Sequence, residues 1–77
     1  MNRTVISSFQ EVSDKHLTPR EIEILRWSAE GKTAADIAII LSMKERTVHF
    51  HVANAVQKMG VSNKMSAVVQ AALSGLF

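Results

Sequence analysis

The stretch "TAADIAIILSMKERTVHFHVANAVQKMG", residues 33–60, contains two apolar patterns of helical period separated by a short connection. The first pattern predicts a short helix over residues 34–41, capped by a threonine that has an aspartate three residues after it. After a tight connection at 42–44, the second pattern predicts a longer helix over residues 45–59, which Gly60 ends. Two helices joined by such a turn form a helix-turn-helix unit, so this stretch decides the fold.

The residues before this stretch predict another helix with clear start and stop signals. In "LTPRE", Thr18 suits the N-cap, Pro19 the first helical position and Glu21 the third position of a capping box. The apolar pattern that follows runs as far as Gly31, which suits a helix C-terminus. We therefore expect a first helix over residues 19–30.

The end of the chain predicts a fourth helix, over residues 64–74, which Gly75 ends. Four short helices joined by connections of two to four residues form a compact all-α domain, here over residues 17–77. Residues 1–16 have mixed charge and no clean period, so we expect a linker or a flexible N-terminal tail there.

The composition excludes several classes of protein. The chain has 77 residues and no cysteine, which excludes a disulfide framework and a thiolate metal site. It contains no uninterrupted apolar run of the length that a transmembrane helix or a secretory signal needs. We therefore expect one small, soluble, cytoplasmic domain without a membrane partner.

The positive charge is concentrated in one part of the chain. The net charge is only +2, but residues 44–64 carry four basic side chains and one acidic side chain, whereas residues 65–77 carry no charge. A local excess of this kind suits a docking face for an anion. The alternative is an ordinary solvated basic helix face.

The two histidines of "HFH" raise the question of a metal site or of catalysis. On a helix, residues two apart point about 200° apart, so His49 and His51 cannot hold one ion. They would chelate an ion from a strand, but the helical apolar period and the glycine stops argue against a strand here. No Ser, Cys or carboxylate is placed to pair with either histidine in catalysis. We expect no metal, no cofactor and no enzyme activity.

The third helix is amphipathic, with a basic and polar outer face. Val48, Val52 and Ala55 fall on one apolar sector, which predicts the side that faces the core. The opposite side carries Phe50, whose ring could contact a thymine methyl group in a major groove or could anchor a protein partner. The residues predicted to contact bases are Arg46, His49, Phe50, Ala53, Asn54 and Gln57.

Groups at helix starts and ends are candidates for contacts with the phosphate backbone. The N-terminus of a helix presents amide groups and the positive end of the helix dipole, which favours anions. A solvated side chain is the alternative for each of them taken alone. The residues predicted to contact phosphates are Lys32, Thr33, Thr47, His51, Lys58 and Lys64.

The motifs "LTPRE", "AEGKT", "RTVHFH" and "KMGV" together resemble the LuxR-type helix-turn-helix, the four-helix DNA-binding domain also seen in GerE-like regulators. The resemblance covers residues 17–77. The wording "RWSAEGKT", with Trp27, is most similar to the quorum-sensing receptors of acyl-homoserine lactones. In those proteins the domain follows an N-terminal ligand-binding domain that is missing here. A small-molecule signal would therefore act only through such a missing domain.

The resemblance implies that His49, Phe50 and Ala53 occupy the base-reading positions of the family. It places the family's backbone contacts near five of the residues named above: Lys32, Thr33, Thr47, Lys58 and Lys64. The sequence departs from the family pattern at Lys44, where many members have Ser or Thr as the N-cap of the recognition helix. It also departs at His49 and Ala53, where relatives often carry Lys or Arg. We therefore expect a looser helix start and base contacts that are either weaker or of a different specificity.

The fourth helix has small, neutral side chains, which suggest close packing against another surface. The family resemblance implies a dimer through this helix, with two recognition helices contacting half-sites ~10 bp apart. We expect this homodimer to be weak without DNA. The alternative is a short alanine-rich helix that happens to lack charge. The residues predicted to form the dimer interface are Ala67, Val68, Ala71 and Ala72.

Two functions are compatible with the sequence. The first is a sequence-specific DNA-binding domain of a transcriptional regulator, either the C-terminal half of a quorum-sensing-type regulator or a stand-alone relative of one. Its partner is double-stranded DNA. The second is a protein-interaction module that forms a heterodimer with a full-length regulator and inhibits it. They differ in whether the face around Phe50 contacts DNA or protein.

Overall fold

A computed structural model describes residues 16–77, which form four α-helices. The helices are α1 (Pro19–Ala29), α2 (Ala34–Leu41), α3 (Glu45–Met59) and α4 (Lys64–Leu73). The predicted all-α fold is confirmed, and every predicted helix end agrees with the structure to within one residue. The predicted linker or tail of residues 1–16 lies outside the described residues, apart from His16.

Capping boxes begin the first two helices, as the sequence predicts. The Thr18 hydroxyl accepts a hydrogen bond from the Glu21 backbone N–H, and the Glu21 carboxylate accepts one from the Thr18 backbone N–H. Thr33 and Asp36 form the same reciprocal pair at the start of α2. Such a cap satisfies backbone donors that have no partner inside the helix. At the start of α3, Lys44 makes no side-chain cap, as expected for a lysine at this position.

Left-handed residues close α2 and α3. Ser42 ends α2 at φ 56°, and the backbone N–H of Met43 donates to the Ala38 carbonyl oxygen at 2.9 Å. Gly60 ends α3 at φ 69°, which glycine adopts without the steric cost that a Cβ atom brings. Because Ser42 turns the chain within the three residues 42–44, α3 can pack directly on α2.

Two groups of buried side chains hold the helices together. The first joins α1, α2 and α3 and so fixes the helix-turn-helix unit; its buried members are Ile24, Ala34, Ile37, Ala38, Val48 and Val52. Trp27 packs against this group and is half-buried. The second joins α1, α3 and α4; its buried members are Leu25, Ala55, Ala67 and Ala71. Fully burying a side chain such as Ile37 or Val48 contributes about 1.5–3 kcal/mol.

The prediction that Ala67 and Ala71 lie in a dimer interface is wrong. Both are 0% exposed and pack inside the domain against Leu25 and Ala55. Their methyl groups are small enough to let α4 approach α1 and α3 closely, so the alanines mark the inner side of α4. The other two predicted interface residues remain nearer the surface, since Val68 is half-buried and Ala72 is exposed.

None of the helices within residues 16–77 has the length and apolar character that crossing a membrane requires.

Candidate nucleic-acid interface

The outer face of α3 carries most of the predicted base-contacting residues at the surface. Val48, Val52 and Ala55 point into the two buried groups, which turns the opposite side of the helix outward. Five of the six predicted residues are exposed and one, Asn54, is half-buried. The exposed five are Arg46, His49, Phe50, Ala53 and Gln57. The structure therefore gathers donors, an apolar ring and a small residue on one accessible helix face.

Phe50 is the large apolar residue on this face, and its side chain is 61% exposed. Its ring meets the imidazole of His51 edge-on, with ring centroids 5.9 Å apart and an interplanar angle of 68°. This geometry is favourable for two aromatic rings and restricts both of them. A single exposed apolar ring is common on protein surfaces, so the importance of Phe50 depends on the hydrogen-bonding side chains that share its face.

His49 has a partner that the sequence analysis did not name. Its Nε2 atom lies 3.5 Å from Glu45 Oε2, one helical turn earlier, and both side chains are more than half exposed. The spacing of four residues is the signal that could have identified this pair. A carboxylate here places one negative charge among the groups predicted to contact DNA, so His49 is not simply a free donor.

One border of the outer face is half-buried. Thr47, His51, Asn54 and Lys58 follow one another at intervals of four, three and four residues, and all four side chains are half-buried. Three of them were predicted to contact phosphates and Asn54 to contact a base. This row therefore lies at the edge of the outer face and not at its most exposed part.

Lys58 lies at the end of this row and makes three internal contacts. Its Nζ atom donates to Glu21 Oε1 at 2.9 Å, to Glu21 Oε2 at 3.2 Å and to the His16 carbonyl oxygen at 3.2 Å. The predicted phosphate contact thus competes with an ion pair to a buried carboxylate. The pair joins residues 37 positions apart, so no local pattern in the sequence indicated it.

Lys32 and Lys64 come together although they are far apart in the sequence. Both line a surface depression of about 360 Å³ between the end of α1 and the start of α4. Its other lining residues are Ser28, Gly31, Met65 and Val68. Two ammonium groups at one depression attract an anion more strongly than either does alone. These two predicted phosphate-contacting residues are therefore favourably placed.

The start of α2 is less open to an anion than the sequence suggests. The backbone N–H groups of Thr33 and Asp36 are both used within the capping box. The hydrogen bonds from the Thr33 backbone and hydroxyl, followed by the nearby Lys32 charge, hold the pKa of Asp36 below its ordinary value. A charged carboxylate thus remains at this helix start, and Lys32 is the group there that favours a phosphate.

The described part of the chain holds no metal-ligand set. Within residues 16–77, no three His, Asp or Glu side chains lie close enough together to hold an ion. What the arrangement offers for binding is the exposed face of α3, with Arg46 and Phe50, and a separate depression lined by Lys32 and Lys64.

The sequence of this chain is similar to that of bacterial transcriptional regulators. Residues 15–71 match the profile of a family described as bacterial regulatory proteins, luxR family. The transcriptional activator protein AnoR of Acinetobacter nosocomialis is 56% identical over 61 residues, which are 79% of this chain and 26% of AnoR. The quorum sensing-dependent regulator RpaR of Rhodopseudomonas palustris is 45% identical over 71 residues, 92% of this chain and 29% of RpaR. The chain therefore spans little more than a quarter of these relatives.

Two solved structures share the arrangement of the helices. Escherichia coli SdiA superimposes with a TM-score of 0.74 at 52% identity, over 77% of this chain and 25% of the SdiA chain. The transcription factor GerE superimposes with a TM-score of 0.74 at 37% identity, over 77% of this chain and 88% of the GerE chain.

Proposed function

The chain belongs to the luxR family of bacterial regulatory proteins, and from this we propose that it inserts α3 into the major groove of double-stranded DNA as part of a transcriptional regulator. The family consists of regulators, not enzymes. The observation that carries the proposal is the exposed α3 face, on which Arg46, His49, Phe50, Ala53 and Gln57 lie together. An α-helix of this kind fits the width of a major groove.

The residues on α3 suit distinct contacts in the groove. Arg46 and Gln57 carry hydrogen-bond donors for base edges, and Phe50 offers an apolar ring to a thymine methyl group. Ala53 leaves room for the helix backbone to come close. Lys32 and Lys64, which share one depression, are the groups we assign to the phosphate backbone.

We further propose that two copies bind DNA together through the outer side of α4. Met65, Val69 and Leu73 repeat every four residues and are 69%, 48% and 84% exposed. The inner side of α4 is already used by the domain's own core, so this row is the apolar surface that α4 has left for a partner. The row spans only about two turns of α4, which supports a dimer that is weak in solution and tighter on DNA.

The relatives suggest the wider context of this domain. RpaR is named a quorum sensing-dependent regulator, and the chain matches 29% of its length. We propose that this domain is the DNA-binding part of a quorum-sensing-type regulator that acts in the bacterial cytoplasm. A small-molecule signal would then be bound by a separate domain and not by the four helices.

The apolar row on α4 also favours a second candidate function. The same row would let this chain pair with a longer luxR-family regulator and displace one of its two copies. In this case the added chain lowers DNA binding by the longer regulator. Phe50→Ala would leave the inhibition intact, whereas Leu73→Glu would abolish it.

The proposal is tested by fluorescence-anisotropy titration against a pool of short palindromic duplexes at two salt concentrations. We expect affinity to fall steeply with salt, because phosphate contacts release counterions. Arg46→Ala should weaken binding by about tenfold. Arg26→Ala removes the same charge from an exposed position on α1 and serves as the matched control, with affinity unchanged. Absence of binding by folded protein at low salt would show that this chain alone does not bind DNA.

A further inference from the structure

The ammonium group of Lys58, in the last turn of α3, is held by two other parts of the chain. It donates to both carboxylate oxygens of Glu21 and to the carbonyl oxygen of His16, at 2.9, 3.2 and 3.2 Å. The two Glu21 oxygens belong to one carboxylate and lie too close together to meet two separate N–H bonds of a tetrahedral ammonium, so one N–H bond is shared between them and a second meets the His16 carbonyl oxygen. The Lys58 side chain is 28% exposed, but two of its three N–H bonds are held by groups of the chain itself, which fixes the position of the ammonium group.

Glu21 gives this contact its importance. It is the buried charged residue among residues 16–77, with a side chain only 3% exposed. Its Oε1 atom also accepts the Thr18 backbone N–H at 2.9 Å, so the same carboxylate caps α1. A buried carboxylate without a cation beside it is strongly unfavourable, and Lys58 is the cation in direct contact with it.

We propose that Lys58 is a positioning residue: it holds the start of the domain, at His16 and the first turn of α1, against the recognition helix α3. In this role it does not contact phosphate. One ammonium group connects the His16 carbonyl, the first turn of α1 and the last turn of α3. The direction in which the chain enters the domain is therefore fixed relative to the helix that we assign to the groove. A displacement of the chain at His16 would therefore shift the C-terminal end of α3 through Lys58.

The competing role as a phosphate contact would break this arrangement. To extend outward to a phosphate, the Lys58 ammonium would have to move away from the Glu21 carboxylate, which would then remain buried without its cation. The cost of an uncompensated buried charge exceeds the gain from one exposed contact with phosphate. In the contacts described above, neither Lys32 nor Lys64 pairs with a buried carboxylate. They remain the residues that we propose to contact phosphate.

The first test compares Lys58→Met with the matched control Lys64→Met, and it does not involve DNA. Methionine keeps the length of the side chain and removes the charge. We expect Lys58→Met to lower the Tm by about 5–10 °C, whereas Lys64→Met should change it by less than about 2 °C. The NMR shifts of the His16 carbonyl carbon and the Leu17 amide should move in the first variant only. Lys58→Arg, which keeps the charge, should recover part of the Tm.

The unaltered protein offers a test that does not depend on whether a variant folds. A lysine ammonium paired with a buried carboxylate and a backbone carbonyl exchanges its protons slowly, so we expect a resolved ¹⁵N–¹H signal for Lys58 Nζ and none for the exposed Lys32. If the Lys58 signal is absent and Lys58→Met has an unchanged Tm, the positioning role is wrong.

The second test rests on the proposed function and measures the salt dependence of DNA binding. We expect Lys32→Met to reduce the slope of log affinity against log salt by about one unit, and Lys58→Met to leave it unchanged. A loss of about one unit in Lys58→Met would overturn the inference. If no variant and no unaltered protein binds DNA, the proposed function fails, while the Tm and NMR measurements still decide the role of Lys58.

Discussion

α3 and α4 both expose apolar side chains, but in different surroundings. On α3 a single large ring, Phe50, lies among polar and basic side chains. On α4 the three apolar residues Met65, Val69 and Leu73 form a row, and no charged residue follows Lys64 in the chain. A polar face with one apolar contact suits a polyanion such as DNA, whereas an uncharged apolar row suits another protein surface. The difference separates the two binding tasks that we assign to this domain.

The largest expected effect is on stability, and it should differ between the two sides of α4. Ala71 is 0% exposed and its neighbour Ala72 is exposed, although the two residues are identical. We expect Ala71→Asp to unfold the domain, since burying an unpaired carboxylate costs about 4 kcal/mol or more and a domain of this size has roughly 4–12 kcal/mol in total. Ala72→Asp should leave thermal unfolding, followed by circular dichroism, almost unchanged. Equal stability of the two variants would contradict the assignment of the inner side of α4.

This pair of alanines also shows where the sequence stops being informative. The helix ends were predictable because threonine caps, Pro19 and the glycines are local signals. The outer face of α3 was predictable because valines occupy one side and polar residues the other. On α4 both sides are apolar, so the period alone could not indicate which one the core covers. The small alanines turned out to be inside and the larger residues outside.

Contacts between residues far apart in the sequence could not be predicted from it either. Glu21 was recognised as a capping residue from "LTPRE", and this role is confirmed. Its pairing with Lys58 depends on how α1 packs on α3, which no local pattern contains. The shared depression of Lys32 and Lys64 likewise arises from packing between α1 and α4. The sequence indicated which residues carry charge, and the packing decides which of these charges are available to a ligand.

The next effect tests the outer row of α4. We expect Leu73→Glu to weaken homodimer formation by about 10–100-fold in analytical ultracentrifugation, because it removes an apolar contact worth about 1.5–3 kcal/mol and places equal charges opposite one another. The Tm of the monomer should not fall, since Leu73 is 84% exposed. Gln70→Glu introduces the same charge at an exposed position outside the row and is the matched control. An unaltered dimer in Leu73→Glu would place the partner surface elsewhere.

A smaller effect is expected from the ring on α3. Phe50→Ala should weaken DNA binding by about fivefold, since it removes one apolar contact with a base and the support that the ring gives to His51. Dimer formation and Tm should remain as they are. Leu73→Glu should show the reverse pattern when single half-sites are used, with weaker self-association and unchanged binding to each half-site. If Phe50→Ala instead weakens the dimer and spares DNA binding, the two faces have been assigned the wrong way round.

The smallest effect concerns the capping box at the start of α2, which lies beside Lys32, one of the residues that we assign to the phosphate backbone. The hydrogen bonds from Thr33 hold the pKa of Asp36 below its ordinary value of 3.8. A carboxyl group whose pKa is lowered by folding stabilises the folded state above the pKa it has when unfolded, and this stabilisation is lost as the pH falls through the folded value. Asp36→Asn should therefore lower the Tm slightly at neutral pH, and the difference from the unaltered protein should shrink once the pH falls below the ordinary pKa and through the lowered pKa of the folded state.

The cause of this pH dependence can be tested with Thr33→Ala. This change removes the hydroxyl group that accepts a hydrogen bond from the Asp36 backbone N–H and that helps to lower the pKa of the Asp36 carboxyl group. In that background, Asp36→Asn should change the Tm less than it does alone, because part of the interaction with the charged form is already gone.

The Asp36→Asn variant also tests whether α2 and α4 have different binding tasks. Removing the negative charge at Asp36 should strengthen DNA binding through Lys32 and leave dimer formation unchanged, because the carboxylate repels phosphate but lies outside the apolar row. An anisotropy titration that finds equal or weaker DNA binding in Asp36→Asn would show that the start of α2 does not face the phosphate backbone.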